Sequence, residues 1–425
     1  MAGTSTTDLN GLFKQAYADQ IENLIPEDSQ LTRAIKFRGR DKMLGDKYNQ
    51  PVIVRSEQGF TYSRPNNGTF NLNPPSSMKT QNAVVDGFII LEQSGISYEA
   101  VARSDNVNAF RNAVDLVMGD AMESFGRRLE LALLYGQSPT GLGQTTNQVG
   151  THTSTTAVLA FATGQWSAGM WTPLEGAGLD AYLSGTAVNT AGALTVSSID
   201  VVNKTITVTG ATGDITALVA ALPGTGAGVV LRFYTAGSNG ADEAVGIDAI
   251  MVNTGVLFNI DASVYSLWKA NTYAVGGALT LSKIQAGVAV AAQRGLSEDV
   301  DIFVNPAVWK DLSTEQVAYR MLDSSYSKSN VDNGFESLTF YSQNGKISVK
   351  AHKYVKEGEA FLLPTKRAVR IGSSDVSFNI PGTDNGQIFI QSPTTAGFTF
   401  RIYSQQSVLI ETPAKCVKYT GVTVS

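Results

Sequence analysis

One cysteine, Cys416, and two histidines, His152 and His352, are all that 425 residues hold of the side chains most used for disulfides and metal sites. A single thiol excludes an internal disulfide and any multi-cysteine metal centre, so stability must come from packing or from assembly. Charge is scarce too: Asp, Glu, Lys and Arg make up 16% of the chain, and the formal net charge of -5 leaves no global footprint for nucleic acid or an anionic membrane. No apolar run of about 18 residues occurs, and the opening MAGTSTTDLN lacks a basic start followed by an apolar stretch. Neither a membrane-spanning helix nor a standard export signal is read here.

What the chain does have is glycine, 41 residues of it, with abundant small and hydroxylated side chains and 43% hydrophobic residues. That balance favours strands, turns and close contacts in a β-rich or mixed fold. Its length allows two or three domains, or one large domain with insertions.

Near the start, Asp8 is placed to cap a helix carrying Leu12, Phe13, Ala16, Tyr17, Ile21 and Leu24 at helical spacing until Pro26. DSQLTRAIKF reads as a second short helix. From 33 to 47, Arg33, Lys36, Arg38, Arg40, Lys42 and Lys47 outnumber Asp41 and Asp46, which reads as an extended basic arm. YNQPVIVRSEQGFTY and QNAVVDGFIILEQSGISYEAVA then read as two strands on either side of RPNNGTFNLNPPSS (64–77). This polar segment holds only Phe70 and Leu72 as large apolar residues. Two strands joined by such a tip make an oversized hairpin, and a loop of that length in a compact domain is usually disordered or functional.

The strongest helix signal follows, over about 107–135, with Phe110, Val114, Val117, Ala121, Phe125, Leu129 and Ala132 three or four residues apart. Asp105 or Asn106 is placed to cap it and Gly136 to end it. The chain turns loose and Gly/Ser/Thr-rich over 137–164, and 165–239 reads as a small β-rich inserted domain. Helix, strand and helix return in SKIQAGVAVAAQRG, VDIFVNP and AVWKDLSTEQV, the last opened by Pro306. Residues 336–425 are mostly strand-like. The expected division is an arm over 1–47, the hairpin and flanking strands over 48–103, a long helix over 104–136, an α/β unit over 137–164 and 240–335, the insert over 165–239, and return strands over 336–425.

No motif commits to catalysis. PGTGAGVV (223–230) lacks the Lys-Ser/Thr of a phosphate loop and opens onto a strand, so a Gly-rich turn is the better reading. His152 and His352 have no ligand partner in sequence and read as surface or strand histidines. SEDVD (297–301) groups three carboxylates, most simply as a solvated turn, although metal coordination or acid–base work is conceivable. Cys416 lies near Lys415 and Lys418, which favour the thiolate, but with no histidine close in sequence it reads as a buried structural thiol. A second basic stretch, with Lys346, Lys350, Lys353, Lys356, Lys366, Arg367 and Arg370 against Glu357 and Glu359, reads as a solvated face or a contact to an acidic neighbour. Residues 165–275, with Glu175, Asp180, Asp200, Asp214, Asp242, Glu243, Asp248 and Asp261 against Lys204, Arg232 and Lys269, offer such acid. No catalytic, cofactor or metal site is assigned.

The order of parts resembles the major capsid protein of tailed bacteriophages, the family with the Hong Kong 97 fold. LFKQAYADQIENLIPEDSQL, LGDKYNQPVIV, GTFNLN, GRRLELALLYGQ, LFNIDASVYSLWKANTY and VNPAVWKDL carry the likeness. The resemblance implies an α+β fold in which the hairpin is the E-loop, the long helix the spine of the P-domain, and the central α/β region the A-domain. It further implies a shell of hexamers and pentamers around packaged double-stranded DNA, a separate scaffolding protein, a portal protein and, in some members, a decoration protein. No enzyme activity, cofactor or membrane contact is implied, and the virion is the expected location, after synthesis in a bacterial cytoplasm. Fewer than fifty residues precede the hairpin, so no large N-terminal removal is expected. Lys79 lies near the tip, but no motif marks a crosslinking partner, and no crosslink is assigned.

Within this frame Thr69, Phe70 and Leu72 are the expected anchors in a neighbouring subunit, and Arg33, Lys36, Arg38 and Arg40 the expected charged contacts to subunits or DNA. An encapsulin-like bacterial compartment of the same fold, holding an enzyme cargo, is the alternative. A β-rich hydrolase is the alternative from a different class and predicts a pocket with convergent polar groups.

Overall fold

In a computed structural model, residues 29–39, 47–65, 68–104, 113–222, 228–235, 242–321, 338–343, 345–378, 388–392 and 396–424 are described. The Asp8 helix, the caps at Asp105 and Asn106, and the glycines of PGTGAG before Gly228 lie outside these residues.

The helix Ala113–Tyr135 runs 23 residues, roughly 35 Å at about 1.5 Å per residue. Its first half is amphipathic. Ala121 and Phe125 pack with Ile96, Phe400 and Ile402. Its last two turns, from Leu129 to Tyr135, are buried on every side, which the continuous apolar run LALLY permits. Gly136 ends it because the chain passes too close for any side chain: a Cβ there would sit 2.0 Å from the Ala244 carbonyl oxygen. That approach is sealed by the Gly246 N–H donating to the Gly136 carbonyl at 2.7 Å.

Among the described residues, three larger sheets surround this helix. A five-stranded sheet is centred on Gly397–Ile410, which pairs antiparallel with Phe88–Ser97 and with Ala368–Ser377. A mixed six-stranded sheet runs in the order Asn271–Gly277, Val417–Val422, Glu359–Leu363, Val300–Val304, Gly345–Ala351, Leu338–Ser342. Glu359–Leu363 is buried at every position, as expected of an interior strand covered on both faces. The helices Leu281–Ala292 and Pro306–Met321 flank this sheet in sequence, in agreement with the spacing that predicted them.

The seven-stranded antiparallel sheet corrects one expectation. Gly143–Gln148 and Thr156–Phe161, read as loose chain belonging to the α/β unit, pair in the same sheet as Gly178–Leu183, Leu194–Asp200, Thr205–Thr209 and Val229–Phe233. GQTTNQ has no apolar run to reveal its strand, and the short run AVLAF of the other lies among Gly, Ser and Thr. The sheet also has no core of its own, since Leu159, Leu194 and Leu231 share one cluster with Leu131 and Tyr135 of the long helix.

A fourth, two-stranded sheet is the hairpin. Tyr48–Arg55 pairs antiparallel with Lys79–Val85, from Tyr48 opposite Val85 to Arg55 opposite Lys79. Here two expected strands divide differently: the first ends at Arg55 rather than Tyr62, and the second splits at Asp86 and Gly87 into a hairpin strand and Phe88–Ser97, followed by the helix Tyr98–Ser104.

Candidate assembly interface

The hairpin has a buried root and an exposed tip. At the root, Ala83 and Val85 are fully buried with Ile260, Ala262, Trp268, Val369 and Leu409. Their seat is the turn between Val256–Leu257 and Ile260–Asp261, where Phe258 and Asn259 adopt φ of 51° and 63°. Positive φ at both central residues suits a tight hairpin turn, and it aims the Phe258 carbonyl at the Val84 N–H, 3.0 Å away. The Trp268 indole N–H donates to the neighbouring Leu257 carbonyl at 3.1 Å. LFNIDASVYSLW thus forms the socket that fixes the direction of the hairpin.

Beyond Arg55 and Lys79 the two limbs stay side by side without a ladder. The Gln58 N–H donates to the Ser76 carbonyl at 3.0 Å, and the Asn73 side-chain amide donates to the Phe60 carbonyl at 2.9 Å. Phe70 and Leu72 are 50% and 78% exposed, and Thr69 is exposed beside them. Sequence reasoning missed Phe60 and Tyr62, which are 65% and 93% exposed on the opposite limb. Reading GFTY as strand concealed them, though an aromatic pair following a glycine next to a polar tip was the available signal. Ile53 and Met78 are also exposed. Isolated exposed hydrophobics are ordinary, but six on one projection make it a candidate contact surface.

The basic arm is placed otherwise than expected. Residues 29–38 fold onto the body: the helix Gln30–Ala34 is followed by Lys36–Arg38, a parallel strand on Ala368–Ser377. Glu130, buried in the long helix, accepts the Leu31 N–H at 2.6 Å and the Thr32 N–H at 3.0 Å. Arg38 pairs with Glu411 of its own chain at 3.0 Å. Arg33 and Lys36 are exposed, and Arg40 lies outside the described residues.

Most of the second basic stretch is likewise spent inside the chain. Lys350 pairs with Asp301 at 3.1 Å, Arg367 with Glu298 at 3.0 Å, Lys366 with Asp299 at 3.7 Å and Arg370 with Asp375 at 2.9 Å. The SEDVD carboxylates are therefore partners of these cations, and among the described residues no group of three His, Cys, Asp or Glu could hold a metal ion. Lys356 is fully buried, donating to Thr140 Oγ1 and the Gly141 carbonyl, both at 2.9 Å. Burial brings its amine down to about 8, against the pull of Glu359 and Asp248. Lys418 pairs with those two carboxylates. Cys416 is buried, and burial pushes its thiol up to about 12. His352 is no surface histidine: it is fully buried, against Glu130.

One cleft of about 690 Å³ opens between the long helix, the strand Phe88–Ser97 and the end of Val229–Phe233. Ile89 and Leu91 line it with half-exposed side chains. Across from them the Arg128 guanidinium carbon lies 3.2 Å from the centre of the Phe233 ring, and burial lowers that arginine to about 10. Glu243, on the same wall, is pushed by burial up to about 7, with the Gln137 N–H opposing. Glu92 is raised as well, by burial and by Asp120.

No protein-family model and no curated protein matches the sequence. Solved structures do match. The chain is similar to the subunit in the asymmetric unit of the cyanophage A-1(L) capsid, at 10% identity over 99% of this chain and 100% of that one, with a TM-score of 0.58. It is also similar to the capsid of an empty GTA particle, at 8% identity over 99% and 100% of the two chains, with a TM-score of 0.51. At these identities the likeness is one of fold: the chain has the mixed α and β capsid fold over nearly its whole length.

Proposed function

We propose that the chain is the major capsid protein of a tailed bacteriophage, a non-enzymatic shell subunit that assembles into hexamers and pentamers around packaged double-stranded DNA. The observation that carries the reading is the hairpin: its root is locked into the chain's own core, while its tip holds Phe60, Tyr62, Phe70 and Leu72 out in water. A monomer gains nothing from that exposure. A shell does, because each tip adds buried area on a neighbour that one chain could not bury alone. In this reading the hairpin is the E-loop, Ala113–Tyr135 the spine, the six-stranded sheet with its helices the A-domain, and the seven-stranded sheet an insertion.

A scaffolding protein, a portal protein and a decoration protein are the expected partners in that setting, and the virion the expected location. The fold of the capsid structures supports this frame, and the internal pairing of Arg38, Lys350 and Arg367 narrows the residues free to face DNA to exposed cations such as Arg33 and Lys36. Electron microscopy of the purified protein tests it. Closed shells or ring-shaped capsomers are expected, with DNA inside particles recovered from infected cells. A monodisperse monomer would overturn the proposal, and shells filled with one co-purifying enzyme would turn it toward a cargo compartment.

A further inference from the structure

We infer that Lys418 and Asp248 condense into an amide bond within one chain, with Glu359 as the base; the inference stands apart from the shell reading above. A buried ion pair needs one acid for one amine, yet Lys418 faces two. Its Nζ contacts Asp248 Oδ1 and lies 3.0 Å from Glu359 Oε1, and all three residues are buried. Strand register places the base: Phe361 stands opposite Lys418 and Glu359 opposite Thr420, so Glu359 and Lys418 are diagonal neighbours on one face. Asp248 reaches them from the helix Ile247–Val252, 170 residues earlier in the chain than Lys418. Phe361, its ring centre 5.7 Å from the amine, and Tyr135, in edge contact with Phe361, wall the site with apolar surface.

Amide formation needs a neutral amine, a base for its protons and a donor to the carboxyl oxygen on which charge gathers. Glu359 takes one proton from the Lys418 ammonium. Its Oε2 is buried without a hydrogen-bond partner and can hold that proton. Lys418 Nζ then attacks Asp248 Cγ, while the Ser138 hydroxyl, donating to Asp248 Oδ2, steadies the charge there. The Nζ–Cγ bond forms and the Cγ–Oδ1 bond breaks. Oδ1 leaves as water with two protons from Nζ, one of them passed through Glu359, which ends as the carboxylate it began as. Holding amine and carboxyl in contact makes the step first-order, and the product removes two charges that burial penalises. Lys356, the other amine of this cluster, donates to the Thr140 hydroxyl and the Gly141 carbonyl instead of a carboxylate.

Mass spectrometry of the full-length protein reads the bond directly. The denatured chain is expected one water lighter than its sequence, and trypsin should release residues 233–269 joined to 416–425, uncut after Lys418. A mass equal to that of the sequence, with residues 416–418 released as a separate peptide, would overturn the inference. So would a lost water confined to one unbranched peptide, as from a cyclised aspartate. Asp248→Ala should keep the full mass; a joined peptide in that variant would place the link elsewhere and overturn the assignment. Glu359→Gln keeps Lys418 beside Asp248 but lacks the base, so in freshly folded protein the joined peptide should accumulate about a hundredfold more slowly than in wild type. Equal rates would overturn the role of Glu359. Should either variant fail to fold, the mass and the joined peptide of the wild type still decide whether the bond exists.

Discussion

His352 Nε2 lies 3.0 Å from Glu130 Oε1, both side chains fully buried, although 222 residues separate them in sequence. The Tyr354 N–H donates to His352 Nδ1 at 3.2 Å, so the proton sits on Nε2 and is donated to Glu130. The same carboxylate accepts the Leu31 and Thr32 N–H groups. One acid in the long helix therefore ties the entry of the chain to the body.

Replacing that acid removes the acceptor of four donors, the Leu31 and Thr32 N–H groups, the Thr32 hydroxyl and His352 Nε2. Glu130→Ala is expected to cost about 3 kcal/mol or more, since each unsatisfied buried donor costs about 1–3 kcal/mol. The loss should be local first: hydrogen exchange at Leu31 and Thr32 should accelerate well before the six-stranded sheet responds. Unchanged protection at both amides would show that other contacts hold residues 29–38 in place.

Lys356 makes stability depend on pH in a defined window. Its folded value of about 8 lies below the ordinary 10.5, so between those values the unfolded chain binds more protons and stability rises with pH. Lys418 is raised by Glu359 and Asp248 despite burial, and its contribution is lost only above 10.5. Cys416, shifted upward from 9.0 to about 12, acts against Lys356 from pH 9 upward, so wild type alone cannot separate them. Comparison with Lys356→Met does. Melts from pH 7.5 to 10 should show the wild type gaining on the variant, by up to ~3 kcal/mol; parallel curves would mean the amine is charged in the fold throughout.

Glu243 works on the acid side. Its folded value of about 7 lies above the ordinary 4.5, so between those values the folded chain holds more protons and stability falls as pH rises. Acidifying from pH 7.5 to 5 should therefore favour wild type relative to Glu243→Gln, whose neutral amide does not titrate. Thermal melts of the two proteins across that range check the sign, and equal slopes would contradict it.

Legibility followed the physics of each element. The long helix, the VDIFVNP strand with its helix, and the hairpin were readable because each carries its period within its own residues. What failed depended on partners distant in sequence. The strands of 143–161 are recruited by Val229–Phe233 and Thr205–Thr209, and nothing in GQTTNQ announces that. Arg33 to Arg38 read as a free arm because Glu130 and Glu411, which anchor that segment, lie some 100 and 370 residues further along. His352 read as a surface or strand histidine for the same reason. At the hairpin tip Phe70 and Leu72 stood out against polar neighbours, whereas Phe60 and Tyr62 merged into an apparent strand.

That contrast leads to the most direct test of the tip. Phe70 is half exposed and Leu72 mostly so, so Phe70→Ser with Leu72→Ser should leave the monomer's melting temperature within error, because exposed positions away from special features change stability by about 0.5 kcal/mol or less. If both side chains enter a neighbour, each lost burial costs about 1.5–3 kcal/mol per contact. That cost recurs at every subunit of a shell, so a modest change per contact becomes a large one in yield. Deleting 64–77 should carry this further: a folded chain, by circular dichroism and melting, that forms no closed shells in electron micrographs. Normal shells from either variant would mean that the hairpin limbs, with Phe60 and Tyr62, hold the contact without the tip.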